Sequence, residues 1–149
     1  MIRVEKLKDC LEEMKPYLRK HYEEVFLYKE KIELNPDYDS YYKYEEEGLL
    51  NTVIAREDGK LVGYFLSFIF KNPHYKDHYY AANDIIYVDP LIRNTGIAYK
   101  MIEFAEKELK AKGVSVMSIN MKVAMPFEGL CKEAGMDKAE YVYSKYIGK

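Results

Sequence analysis

The residues best suited to chemistry stand together in Arg93-Asn94-Thr95-Gly96-Ile97-Ala98, just after an apolar run ending at Val88-Asp89-Pro90. From Ile97 to Lys112 the apolar residues recur with a helical period, so the six residues bridge a strand and the start of a helix. The first turn of a helix carries backbone N–H groups without intrahelical partners, at the positive end of the helix dipole. Such a place suits a phosphate or pyrophosphate. Gly96 lets a ligand come close to the backbone, and Arg93 and Lys100 add positive charge. The neighbours Leu91, Ile92 and Ile97 are apolar and do not compete for those N–H groups. An ordinary loop before an ordinary helix has the same local pattern, so the residues alone leave both readings open. Other phosphate motifs fit less well: GxxxxGK[ST] is missing, and GxGxxG needs three glycines where this loop has one.

The remaining reactive side chains form no second constellation. His74 and His78 lie in a polar loop with no thiolate and no third ligand at suitable spacing, so no metal is expected. His21 with Glu23 and Glu24 reads equally as a face toward a substrate or as a wet helix face. Cys10 and Cys131 are far apart with no CxxC spacing, which points to two reduced thiols in a cytoplasmic protein.

The elements that position the loop follow from periodicity. Ile2 to Val4 reads as a short first strand. Leu7 to Phe26 reads as a helix, with Pro16 predicting a kink or a division in two. Asp39 to Leu50 reads as a second helix ending near Gly48. Thr52 to Arg56 and Leu61 to Phe70 flank Asp58-Gly59 and predict a hairpin. Asn72 to Tyr80 reads as a loop and Asp84 to Val88 as a strand. After the helix at Ile97 to Lys112, Gly113 marks its end and Val114 to Met121 reads as a strand. Pro126 to Ala134 predicts a short helix, and Tyr141 to Ile147 a final strand. The strand–helix–strand unit at 84–121 predicts a right-handed parallel crossover. The fold class expected is α/β (α+β), a mixed sheet flanked by helices.

Composition narrows the partners. The chain has 149 residues, 48% hydrophobic and 32% charged, the profile of one folded domain spanning 1–149. Net charge is −2, which argues against general nucleic-acid binding. Residues 1–92 carry 13 Lys+Arg and 18 Asp+Glu, and residues 93–149 carry 10 and 7. An acidic half beside a basic half suits a cationic acceptor and an anionic cofactor. The apolar stretch Gly63 to Phe70 is too short to cross a membrane, and Met1 to Met14 lacks the apolar core of a signal peptide. Tyrosines number 16 and tryptophan is absent, so several tyrosines are expected at the rim of a cleft.

Arg93-Asn94-Thr95-Gly96-Ile97-Ala98 resembles the acyl-CoA motif Q/R-x-x-G-x-G/A of the GNAT acetyltransferases. The strand before it, the helix and Gly113 after it, the hairpin with Val62-Gly63-Tyr64 and the short helix before Gly135-Met136 also resemble that family. The likeness covers residues 50–147. His21-Tyr22-Glu23-Glu24, Leu34-Asn35-Pro36-Asp37-Tyr38 and Tyr143-Ser144-Lys145 look like the small members carried by tailed phages and prophages. The resemblance implies a central β-α-β acyl-CoA-binding unit and acetyl-CoA as co-substrate. It implies that N–H groups of Asn94, Thr95, Gly96, Ile97 and Ala98, with Arg93, hold the pyrophosphate. The backbone of Ile86, Tyr87 and Val88 would pair with the pantetheine arm, one N–H polarising the thioester carbonyl.

Transfer of an acetyl group to an amine needs a base, and Asp84 lies where several members of the family have a glutamate. Its plain alternative is an aspartate capping a strand end. The acid is harder to place. The family often has a tyrosine four residues before the glycine that closes its last helix, and here that position is Cys131. Cys131 as a proton donor competes with Cys131 as packing, and Tyr143 is the replacement candidate. The expected acceptor is a small-molecule or protein amine, with a homodimer left open. The rival readings are a non-catalytic acyl-CoA-binding or protein-interaction module, and a longer acyl group on the same scaffold.

Overall fold

The computed structural model describes residues 1–148. A five-stranded sheet runs in the order β1 (Ile2–Val4), β2 (Leu50–Glu57), β3 (Lys60–Lys71), β4 (Tyr79–Val88), β5 (Val114–Ser118). The first three pairings are antiparallel and β4 with β5 is parallel. The β2–β3 hairpin turns at Asp58 and Gly59, both at positive φ (50° and 80°), as the Asp-Gly signal requires.

Alternation along the strands divides the core between the two faces of the sheet. Ile54, Tyr64 and Leu66 pack with Leu7, Leu11 and Met14 of α1 (Leu7–Val25). Tyr38 and Tyr41 of α2 (Tyr38–Glu46) pack against the same cluster. Val53, Phe65 and Val88 pack with Met101, Ile102 and Ala105 of α3 (Ile97–Ala111) on the other face. Glu45 of α2 accepts the N–H of Leu7 at 2.8 Å, so one helix caps the start of the other. A short helix, α4 (Glu128–Glu133), precedes Gly135.

Three expectations change. Pro16 does not divide α1, which runs through it as one helix of 19 residues. β4 begins at Tyr79, five residues before Asp84, so Asp84 lies inside the strand and not at its start. The final strand at Tyr141 to Ile147 does not form; residues 136–148 are irregular. Its apolar side chains find no sheet face to cover: Tyr141, Val142, Tyr143 and Ile147 are all exposed. An alternating pattern needs a partner edge and a buried face to become a strand. The segment instead leans on the stretch between α1 and α2, with the hydroxyls of Ser144 and Tyr28 2.8 Å apart and the rings of Tyr146 and Tyr28 6.2 Å apart.

Candidate active site

β4 and β5 run side by side only as far as Ala82, which pairs with Ser118. There the strands part. Asn83 fills the widening gap with its side chain: Oδ1 accepts the N–H of Asn120 at 2.6 Å, and Nδ2 donates to the Asn120 carbonyl at 3.3 Å. The expected strand 114–121 therefore stops at Ser118, because Asn120 bonds a side chain in place of a neighbouring strand. Among the described residues no strand lies beside the edge of β4 beyond this point.

The same place carries a bulge. Leu66 pairs with Ile85 and Ser67 with Asn83, so Asp84 is an extra residue in β4. Counted back from Val88 and Ile86, which pack with α3, period-two alternation would put Asp84 on their face; counted forward from Ala82, whose partner Phe68 packs with Tyr41, it falls on the opposite one. The bulge joins the two phases and leaves Asp84 on the face of Ile85 and Tyr87, where α1 and α2 lie. There the Tyr41 hydroxyl donates to Asp84 Oδ2 at 2.7 Å. Burial raises the affinity of the Asp84 carboxyl for its proton; the Tyr41 hydrogen bond and the charge of Lys122 oppose that shift. A carboxylate of raised pKa is a better base than an exposed one.

The loop after β4 is held by its own side chains. Asp89 accepts the N–H of Leu91 at 3.0 Å, and Thr95 Oγ1 donates to the Ile92 carbonyl at 2.6 Å. Arg93 Nε donates to the Val88 carbonyl at 2.9 Å, and its guanidinium lies over the Tyr87 ring and 3.6 Å from Glu24. Arg93 thus shapes the loop before it offers charge to a ligand. Asn94 and Gly96 take positive φ (66° and 86°). The first backbone bond of α3 runs from the Lys100 N–H to the Gly96 carbonyl, and no side chain caps the turn. Nothing lies within 4 Å of where a Cβ on Gly96 would stand, so the approach to those N–H groups is open.

A cleft of about 1000 Å³ joins these parts. Asp84, Ile86, Tyr87, Val88, Arg93, Asn94, Gly96, Ile97 and Ala98 all line it. Thr95, Cys131 and Tyr143 do not. Cys131 is half-buried on α4, its thiol kept protonated by burial and by the charge of Glu128. Tyr143 is 93% exposed on the irregular C-terminal segment. The cleft also takes in His21, Tyr41, Asn83 and Lys122, which no local spacing ties to the loop. The His21 ring stands 5.5 Å from that of Tyr87, and burial is the main cause of its lowered pKa, which leaves it neutral at pH 7. The hydroxyls of Tyr64 and Tyr87 are buried without a hydrogen-bond partner. His78 Nδ1 lies 2.9 Å from the Ser115 hydroxyl, and among the described residues no three His, Cys, Asp or Glu side chains are placed to hold a metal.

Residues 11–128 match the family described as the acetyltransferase (GNAT) family. The chain belongs to the GNAT acetyltransferases. It is thus an enzyme of the acyltransferase class, and its mixed sheet with flanking helices is that of solved acetyltransferases. An aminoglycoside acetyltransferase from an uncultured soil metagenomic sample, in complex with sisomicin, superposes with a TM-score of 0.78 at 16% identity, covering 100% of this chain and 96% of that one. A predicted acetyltransferase with acetyl-CoA from Clostridium acetobutylicum gives 0.74 at 18% identity, covering 99% and 96%. Glucosamine-6-phosphate N-acetyltransferase from Arabidopsis thaliana gives 0.71 at 16% identity, covering 99% and 98%. At such identities the likeness is one of fold. No curated protein sequence matches this GNAT chain significantly. Among its described residues no helix is long and apolar enough to cross a membrane.

Proposed function

We propose that this acetyltransferase moves an acetyl group from acetyl-CoA to a primary amine directly, within a ternary complex. The observation that carries the reading is the bulge, which sets a half-buried carboxylate in the cleft at the point where the β4 edge becomes free. The cleft fits the donor. The uncapped N–H groups of Ile97 and Ala98, reached over Gly96, would hold its pyrophosphate, with the N–H groups of Asn94 and Thr95 beside them. The backbone of Ile86, Tyr87 and Val88, free of β5, would hold the pantetheine arm, and one N–H there would stabilise charge on the thioester oxygen.

Asp84 takes a proton from the incoming ammonium, directly or through one water. The N–C bond then forms as the C–S bond breaks, and the second proton of the amine nitrogen passes through water to the released thiolate or to solvent. A thiolate is a tolerable leaving group near neutral pH, so the reaction does not depend on an acid of the chain. That weakens the non-catalytic alternative, whose support is Cys131 at the usual tyrosine position and its place outside the cleft. Residues 1–149 act as one domain in this reading, in the cytoplasm. The phage or prophage subtype rests on three short motifs, and a homodimer is compatible with the irregular C-terminal segment.

Mass spectrometry of the purified chain with acetyl-CoA and a panel of amines tests the proposal. An amine product heavier by one acetyl group is expected. An acetylated enzyme that forms without acceptor and then passes its acetyl group on would replace direct transfer by a two-step route.

A further inference from the structure

We infer that the acceptor is a small monoamine with an aliphatic or aromatic body, not a polycation. The inference rests on the transferase reading and deepens it. One wall of the cleft belongs to α3 and α4, the side of the pyrophosphate loop. The opposite wall is α1 and the segment 34–41. The apolar stripe of α1 is uneven: Leu7, Leu11 and Met14 are fully covered by the sheet, whereas Leu18 and Val25 farther along are only half covered. Phe26, Leu34 and Pro36 continue that uncovered apolar surface beside the cleft. Apolar surface turned toward a cleft gains by meeting an apolar ligand.

Charge points the same way. Among the described residues only two acidic side chains line the cleft, Asp84 and Glu133, and Glu133 stands on the far wall with α4. Asp84 is therefore the single carboxylate that lines the acceptor end, with Glu24 behind that wall. Lys122 adds positive charge beside Asp84; at His21 the negative charge of Glu24 acts ahead of the positive charges of Arg93 and Lys122. Glu24 is already set against Arg93 at 3.6 Å. The acidic residues Glu30 and Glu33 are exposed and do not line the cleft. One ammonium beside Asp84 is balanced. A second would meet apolar walls and the charge of Lys122, which costs binding when water is excluded.

The test compares kcat/KM for n-hexylamine and 2-phenylethylamine with that for spermidine and kanamycin, read as amine-dependent thiol release and product mass. The apolar monoamines are expected to exceed the polycations at least 10-fold. Leu34→Glu adds a carboxylate to the apolar wall and should narrow or reverse that ratio by 10-fold or more; Phe26→Glu serves if Leu34→Glu does not fold. Faster turnover of spermidine or kanamycin by the parent chain overturns the substrate class while leaving acetyl transfer standing. No product from any amine, with acetyl-CoA still raising the melting temperature, removes the transferase reading and the class with it.

Discussion

Replacing Gly96 by valine separates the conformational role of this residue from its role in binding. Gly96 holds φ 86° and ψ 0° at the start of α3. An L side chain in that region costs about 1–2 kcal/mol, and a β-branched one falls at the upper end. No atom lies within 4 Å of the new Cβ, so no clash adds to this cost. At this chain length about 1 kcal/mol shifts the melting temperature by roughly 2–4 °C, so the free variant should melt about 2–8 °C lower. The open space that spares the free variant a clash is the space the cofactor would use. Acetyl-CoA at about 100 times its Kd should stabilise the parent by about 2.7 kcal/mol. If valine weakens binding 100-fold, the gain at the same concentration falls to about 0.4 kcal/mol. Thermal unfolding with and without acetyl-CoA reads both effects, and Gly96→Ala should fall between. A valine variant that melts lower yet keeps the parent's full ligand-induced shift would falsify the assignment of this loop as the pyrophosphate site.

Asp84→Asn should lower kcat about 10²- to 10⁴-fold with little change in acetyl-CoA affinity, and the loss should shrink as pH rises and free amine accumulates; turnover equal to the parent at pH 7 would remove Asp84 from the reaction. Tyr41→Phe deletes a hydrogen bond that favours the Asp84 anion, so the acidic limb of the kcat/KM–pH profile should move to higher pH, and an unmoved limb would mean that Asp84 is not the group titrating. Cys131→Ser and Tyr143→Phe should both turn over within about threefold of the parent, since neither lines the cleft and the thiolate can leave unprotonated; a large loss in Tyr143→Phe alone would require the C-terminal segment to reach the site. Arg56 binds Glu5 and Glu13 through two hydrogen bonds each and its side chain is only 13% exposed, so Arg56→Met should cost about 1–3 kcal/mol in urea unfolding. Because Arg56 holds both carboxyls below their ordinary pKa of 4.5, this stabilisation is present above pH 4.5 and is lost as pH falls below it. A parent and variant with the same acid dependence would contradict that linkage.

Local signals carried much of the fold. Asp58-Gly59 marks the hairpin because few other residue pairs take positive φ twice in succession, and the stripe Met101, Ala105, Leu109 marks α3 because it recurs at the helical period. The cofactor end of the cleft was legible for the same reason: the loop and the helix start are contiguous in sequence. The acceptor end was not. Tyr41 meets Asp84 across 43 residues, and no spacing rule joins them. The direction of Asp84 was also hidden, since alternation read over 84–88 sends it to the α3 face, and the bulge that breaks this phase has no mark in the sequence. Tyr141 to Ile147 misled in the other direction: its pattern is that of a strand, but strand formation depends on a free edge and a buried face elsewhere in the molecule.

The side chain of Asn83, standing in for a strand at the fork between β4 and β5, bears on the kinetics of binding. The separation of the two strands is achieved during folding, so an arriving ligand need not pry a sheet apart. Association should therefore show no slow conformational step and no lag at high ligand concentration. In the free protein the unpaired edge from Ile86 to Val88 leaves backbone amides without strand partners on that side, and these should exchange hydrogen quickly with water. Protection appearing there on addition of acetyl-CoA, while the amides of β2 and β3 stay unchanged, would be the mark of a rigid fork closed by its ligand alone.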